Sequence, residues 1–330
     1  MIIDQASQEQ LKRTSLYKPP NIRPQQHETA RARTAVDTRP FTQTAWAPAT
    51  CGELIQGFLN GTDFLVNCPI NLSAFASATP NWTGRVTVAT PGDFSKSLNS
   101  VHALMDQCGL LDRGYGVDLA FVSNIPRGKG LASSTAEVSA ALQAVVKVFQ
   151  MPISPSMLTV LSTTFDSTDG TGMPGITEIN QLTGQVIASF PEPPPLRFLI
   201  IDTGGEVDSV RFDRIKAREH SRQHENSLGK ALSLVRQGLR AGRTDLISAG
   251  ATISARINNL LMPKPGFEEI LKVVLESGAM GLNCAHTGTV LGVMYDPLTC
   301  DMGQVRANLS QVVMSSQFLG DYQLTGGSFE

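Results

Sequence analysis

Residues 125–142 read IPRGKGLASSTAEVSAAL. An apolar run closed by Pro126 leads in, and a pattern dense in Ala and Val predicts a helix over 134–150. Between them stand Gly128, Gly130, the hydroxyls of Ser133, Ser134 and Thr135, and Glu137. A turn built this way fixes a strand end and a helix start, and it holds the two close together. Two readings are open. In one, Ser134 and Glu137 form a capping box and the glycines only let the chain turn. In the other, the unpaired amides and positive dipole end of the helix seat an anion. The glycines then admit a phosphate chain to the backbone, and the hydroxyls face phosphate oxygens or a magnesium ion. The spacing is not that of a P-loop, because Lys129 precedes the second glycine, and it is not G-x-G-x-x-G. Alone, the stretch does not choose.

Composition narrows the classes. A chain of 330 residues, 41% hydrophobic and 17% charged, buries a sizeable core in two domains or one large one. A formal net charge of -2 gives no electrostatic case for nucleic acid or for an anionic membrane surface. No apolar run is long enough to span a bilayer, and the first residues lack the apolar centre of a signal peptide. Cys51, Cys68, Cys108, Cys284 and Cys300 are odd in number and include no Cys-x-x-Cys pair, which argues against a disulfide framework or zinc knuckle. A reducing cytoplasm is the expected setting.

Residues 1–43 are polar, proline-punctuated and aperiodic, with seven Lys and Arg against four Asp and Glu. They read as a flexible basic extension. From Thr44 the pattern changes. TAWAPATCGELIQGFL predicts a short strand, a turn, and a second strand or short helix. DFLVNCPINLSAFASATP, GRVTVATP and GVDLAFVSNIP read as strands, and SLNSVHALMDQCGL as a helix. SPSMLTVLSTTF opens a further helix behind a serine cap. The run PEPPP at 191–195 reads as a hinge. After it come a buried strand, LRFLIIDTGG, helices near 213–239, 244–260 and 265–277, and NCAHTGTVLGVMYD, a strand entered through a polar turn. Strands and helices mix without strict alternation, so the expected class is α+β.

Three segments, in order, carry a family resemblance. Pro126, Arg127, Gly128, Lys129, Gly130, Leu131, Ala132, Ser133 and Ser134 fit the pattern P-x-x-x-G-L-[GA]-S-S. This resembles the second motif of the GHMP kinases, named for their galactokinase, homoserine kinase, mevalonate kinase and phosphomevalonate kinase members. APATCGELIQG at 47–57 is similar to that family's amino-terminal motif, and AHTGTVLGVMYD at 285–296 to its carboxy-terminal one. Within the family the likeness is greatest to the L-threonine kinases of cobalamin synthesis, through CGELIQG, GKGLASSTAE, STDGT and AHTGTVLG, with DTGGEVDSVRF in support. It covers about 44–325. The resemblance implies a ribosomal-S5-like amino-terminal domain over 44–192 and a ferredoxin-like carboxy-terminal domain over 193–330. It also implies ATP as phosphate donor, Mg2+ and a small hydroxy amino acid as acceptor, and it is compatible with a homodimer.

The resemblance also suggests roles. The backbone from Pro126 to Thr135 would cradle the nucleotide phosphates. Ser134, with Ser133 next to it, would face the magnesium ion, and Lys129 either neutralises phosphate or is a solvated loop lysine. Asp169, in FDSTDGTG, sits where the family places a general base. Asp166 falls where the threonine kinases tend to carry glutamate, so a metal role for it is in doubt, with Glu137 the other metal candidate. Both aspartates also suit Asx turns in a glycine-rich loop. Glu53, Gln56, Asn67, His286 and Thr287 are candidates for substrate contacts, His286 equally for a structural hydrogen bond. Cys51 is expected to pack, and the His220 and His224 pair to lie on a solvated charged face.

Overall fold

The computed structural model describes residues 41–165, 167–190, 192–205 and 212–328. The extension expected at 1–43 lies outside them except for its last three residues. β1 (Gln43–Leu59) and β2 (Thr62–Asn81) form a long antiparallel hairpin. β3 (Val86–Val88), α1 (Ser95–Gln107) and β4 (Gly116–Ser123) follow, then α2 (Ser133–Phe149) and α3 (Pro155–Ser162). The hairpin of β5 (Ile176–Ile179) and β6 (Val186–Phe190) leads to β7 (Arg197–Asp202). Four helices come next: α4 (Arg214–Gln223), α5 (Glu225–Ala241), α6 (Thr244–Leu261) and α7 (Phe267–Glu276). β8 (Gly281–Cys284), β9 (Val290–Tyr295), α8 (Met302–Leu309) and β10 (Phe318–Gln323) complete the described chain. One ten-stranded sheet runs β10-β7-β9-β8-β1-β2-β4-β3, with β5 on β2 and β6 on β5. The class is α+β.

The turn expected inside the first segment is a bulge within one strand of 17 residues. Register shifts at Pro48/Ala49, Thr50/Glu53 and Glu53/Ile55 kink the strand, and Gly52 takes a φ of 51°. A left-handed glycine inside a bulged strand carries the local markings of a turn. The helix expected over 213–239 is two helices, broken at His224, which has φ -113° and ψ 20°. The polar turn before β9 is itself preceded by β8, so the expected single strand is a hairpin.

The chain enters β7 immediately after the proline run expected to be a hinge. Leu196 is fully buried, and its carbonyl accepts from Leu324 N at 2.8 Å. Burial explains the rest. From Ala136 to Val146 every residue of α2 is buried, because the helix lies on β1 and β2. A second apolar cluster joins Leu199, Ile201, Leu282 and Val293 of the sheet to Ile270, Leu271 and Val274 of α7. Among the described residues no helix is long and apolar enough to cross a membrane.

The serine cap of α3 is present: Ser154 has extended φ and ψ, its side chain accepts from Met157 N at 3.3 Å, and Pro155 opens the helix. Ser154→Ala is expected to cost about 1 kcal/mol. A urea titration reads this as a lower midpoint with unchanged slope.

Candidate active site

Ala132 enters α2 with φ 56° and ψ 31°, and no side chain caps the helix. Gly128 and Gly130 also take positive φ, 71° and 85°. This left-handed entry starts the helix at Ser133, so Ser134 is the second helical residue and the expected capping box does not form. The backbone amides of Ser133, Ser134 and Thr135 precede the first intrahelical bond, Ala136 N to Ala132 O at 2.9 Å. They face outward with the positive end of the dipole, which is the geometry of an anion seat.

Neighbouring elements hold the loop. Thr50 N of β1 donates to Leu131 O at 3.1 Å, and Thr289 N donates to Lys129 O at 2.9 Å. The turn after β8 presses directly on the loop: a Cβ at Gly130 would overlap the Ala285 methyl and come within 2.9 Å of Gly288 Cα. The carboxy-terminal motif thus shapes the phosphate seat by contact.

Glu137 is turned inward rather than toward the helix end. Both of its oxygens accept from Arg127 Nη2, at 2.8 and 3.0 Å. Burial pushes its carboxyl above the ordinary value, against the lowering effect of the Arg127 guanidinium. Arg127 also stacks on Phe94, 5.0 Å from the ring centroid, and donates to Asp93 O at 2.8 Å. The Arg127–Glu137 pair braces the loop.

Lys129 is anchored, not solvated. Its ammonium sits 3.0 Å from Asp202 Oδ2 at the end of β7 and 2.7 Å from Gly205 O. Thr289 Oγ1 donates to Asp202 Oδ1 at 2.6 Å. Burial raises the Asp202 carboxyl, but hydrogen bonds from Thr289, Lys129 and the Gly204 amide outweigh it and leave it below the usual range. Asp202 was invisible as a site residue; the only signal was an acid at the end of a buried strand before Gly-Gly.

The acidic loop meets the same helix end. Thr135 Oγ1 donates to Asp169 Oδ2 at 2.8 Å, so a carboxylate stands one hydrogen bond from the phosphate seat. Asn67 fixes that loop. It is fully buried, donates to Gly170 O at 3.2 Å and Thr177 Oγ1 at 3.1 Å, and accepts from Thr177 N at 2.9 Å. Both ends of its amide are engaged, so Asn67 positions the Asp169 loop rather than touching a substrate. Asp166 lies outside the described residues. A recess beside the helix start is lined by Lys96, Ser100, Ser134, Thr135, Ser162 and Ser167.

Glu53 and His286 form a buried pair. Glu53 Oε2 accepts from His286 N and faces His286 Nδ1, each at 2.8 Å, and Nε2 lies 3.2 Å from Ser254 Oγ. The pair clips β1 to the turn that packs on Gly130. Gln56 donates to Gln181 Oε1 at 2.7 Å. Gln56, Gln181, His220, Ser254, Asn258 and His286 wall a small cavity of ≈ 50 Å³ under α4 and α6. Thr287 is half-buried at the turn's tip. His220 and His224 are tied to backbone, His220 Nε2 to Ile257 O at 2.7 Å and His224 Nδ1 to His220 O at 3.0 Å, instead of lying on a solvated face. Cys51 is buried, its thiol pushed far up by burial, and its Sγ donates to Asn283 Oδ1 at 3.5 Å. That is packing, as expected.

Residues 96–174 match the model of the GHMP kinases N terminal domain. An L-threonine kinase of Salmonella typhimurium is 28% identical over 291 residues, 86% of this chain and 94% of that protein. An L-threonine kinase of Citrobacter freundii is 27% identical over 274 residues, 81% of this chain and 91% of that one. The chain thus carries a segment of the GHMP kinase N-terminal type and is similar along most of its length to L-threonine kinases. The fold agrees: homoserine kinase from Cytophaga hutchinsonii superposes with a TM-score of 0.61 at 16% identity, covering 91% of this chain and 98% of that one. The matched segment contains the left-handed helix entry, Thr135 and Asp169, while Glu53, Lys129's partner Asp202 and His286 come from outside it.

Proposed function

We propose that this kinase transfers the γ-phosphate of ATP to the hydroxyl of L-threonine, giving O-phospho-L-threonine for the aminopropanol arm of cobalamin. The observation that carries the reading is the Thr135–Asp169 hydrogen bond, which places a carboxylate against an open, left-handed helix entry. Phosphoryl transfer asks a protein mainly for positioning and charge neutralisation. The amides from Gly128 to Thr135 hold the β- and γ-phosphates, and Lys129, fixed by Asp202, adds positive charge at the loop. Asp169 orients the acceptor hydroxyl and takes its proton as the oxygen attacks the γ-phosphorus. The bond from that phosphorus to the bridging oxygen breaks, and ADP leaves with the electron pair.

The donor set fits Mg2+. This hard ion takes one or two carboxylates, hydroxyls and substrate phosphates rather than a protein cage. The hydroxyls of Ser134 and Thr135, beside the Asp169 carboxylate and the phosphates themselves, offer an all-oxygen surrounding of this kind. When bound, the ion would neutralise phosphate charge, with Ser134 as the hydroxyl that would face it. Threonine as acceptor rests on the two relatives that align along most of the chain. A homoserine acceptor is the second reading, favoured by the fold match to a homoserine kinase.

With ATP and magnesium, the protein is expected to phosphorylate L-threonine with kcat/KM at least about tenfold above L-serine and L-homoserine, as one methyl or methylene in a pocket discriminates. Phosphorus NMR of the product identifies the phosphate ester. Equal turnover of the three acceptors rejects the threonine assignment, and ATP binding without turnover of any alcohol favours a non-catalytic nucleotide-binding regulator.

A further inference from the structure

Among the described residues, Lys264 is buried with no carboxylate beside it. Lys264, between α6 and α7, is 5% exposed. Its ammonium donates to Asn258 Oδ1 at 3.1 Å, and no carboxylate among the described residues lies within ion-pair distance of it. An ammonium carries three donors, and removing it from water for one neutral acceptor is costly.

The surrounding loop presents the group rigidly. Pro263 and Pro265 flank it, each with a fixed φ and no N–H. Lys264 N donates to Asn259 Oδ1 at 2.8 Å, and Phe267 N donates to Lys264 O at 3.2 Å. Asn258 is held in turn, its amide donating to His286 O at 3.4 Å while Cys284 Sγ donates to its Oδ1 at 3.5 Å.

Lys264 also stands at the right place. It borders an open cleft of ≈ 200 Å³ together with Gly204, Gly205, Gly288 and Thr289. Gly288 is the residue that packs on Gly130, and Gly205 O holds Lys129. Its one partner, Asn258, lines the cavity shared by Gln56 and His286. Lys264 and Asn258 thus border two openings, each of which also reaches the turn at 286–289.

We infer that Lys264 binds the carboxylate of the acceptor hydroxy amino acid. The proposal rests on the reading of the acceptor given above. A carboxylate supplies the negative charge and the two acceptor oxygens that Asn258 leaves wanting, and a charge-assisted bond of this kind is the strong sort. The phosphates of ATP have other partners in the helix amides and Lys129.

The test compares wild type, K264M and K264R on L-threonine and on L-threoninamide, in which the carboxylate is replaced by a neutral amide, with ATP titrated separately. K264M is expected to raise the KM for threonine between about 10- and 100-fold. It should leave kcat/KM for threoninamide and the KM for ATP unchanged, and K264R should recover part of the threonine loss. A rise in the ATP KM instead assigns the lysine to nucleotide phosphate and overturns the proposal. Equal weakening of both acceptors reduces Lys264 to packing and overturns it too. Should K264M melt at assay temperature, the wild type decides, since equal use of threonine and threoninamide is incompatible with the proposal. A wild type that turns over no hydroxy amino acid defeats the functional reading itself. One that uses threonine while K264M keeps its KM defeats only the role of Lys264.

Discussion

Asp169→Asn is expected to lower kcat by about 10²- to 10⁴-fold, the range associated with removing a general base. The substitution is nearly isosteric, and its amide oxygen still accepts the hydrogen bond that Thr135 Oγ1 makes at 2.8 Å. The loop has independent anchors: Asn67 on Gly170 O, and Thr168 N on Gln181 O at 3.1 Å. Fold and ATP binding should therefore persist while the proton acceptor disappears. Coupled measurement of ADP release gives the rate, and a thermal melt confirms that the variant folds. A variant that keeps full turnover removes Asp169 from the chemistry. A normal kcat regained at raised magnesium would instead mark Asp169 as a metal-holding residue that the ion's excess can replace.

Gly130→Ala is the second large effect. At φ 85° an alanine is strained by about 1–2 kcal/mol. The greater part of the damage is collision, because the added methyl overlaps Ala285 and approaches Gly288. Neither neighbour has a flexible side chain to swing away. The turn at 285–289 must back off, loosening the bond from Thr289 N to Lys129 O. The expected result is a fall in kcat/KM of about 100-fold or more, since ångström misplacement of a catalytic frame costs that much. It should be expressed mainly in the KM for ATP. Gly61→Ala is the control: φ is 80° and nothing lies within 4 Å of the added methyl. It carries the backbone strain without the collision, so it should lower the melting temperature slightly and leave kinetics alone. Equal kinetic loss in both variants would show that strain, not the packing of the turn on the loop, limits the enzyme.

The sequence made the phosphate seat legible because its markings are local: two glycines, a hydroxyl cluster and a helix start within one short stretch. Asp169 was legible by resemblance, and its partner Thr135 by position on the same helix. What stayed hidden depends on partners distant in the chain. Glu137 looked like a cap because Arg127, ten residues earlier, is seen beside it only once the loop has folded back. The strand at Ile176–Ile179 escaped notice for the same reason. Its Glu178 is buried, which no local pattern of a core strand contains. Arg236, on α5, makes this possible with bonds of 2.7 and 2.6 Å to both carboxylate oxygens. The buried Lys264 was overlooked because a lysine between two prolines reads as a surface turn.

β1 gives the last consequence. It pairs with β2 along its length and with β8 at Glu53, so it belongs to both sides of the phosphate seat at once. Through β1 the described strands run as one continuous sheet. Swinging one half against the other would tear backbone pairs out of the central strand. Admission of ATP and release of product then fall to short connecting segments at the rim. In hydrogen exchange, ligand should quiet those segments and leave the strand amides of β1 as slow as they were.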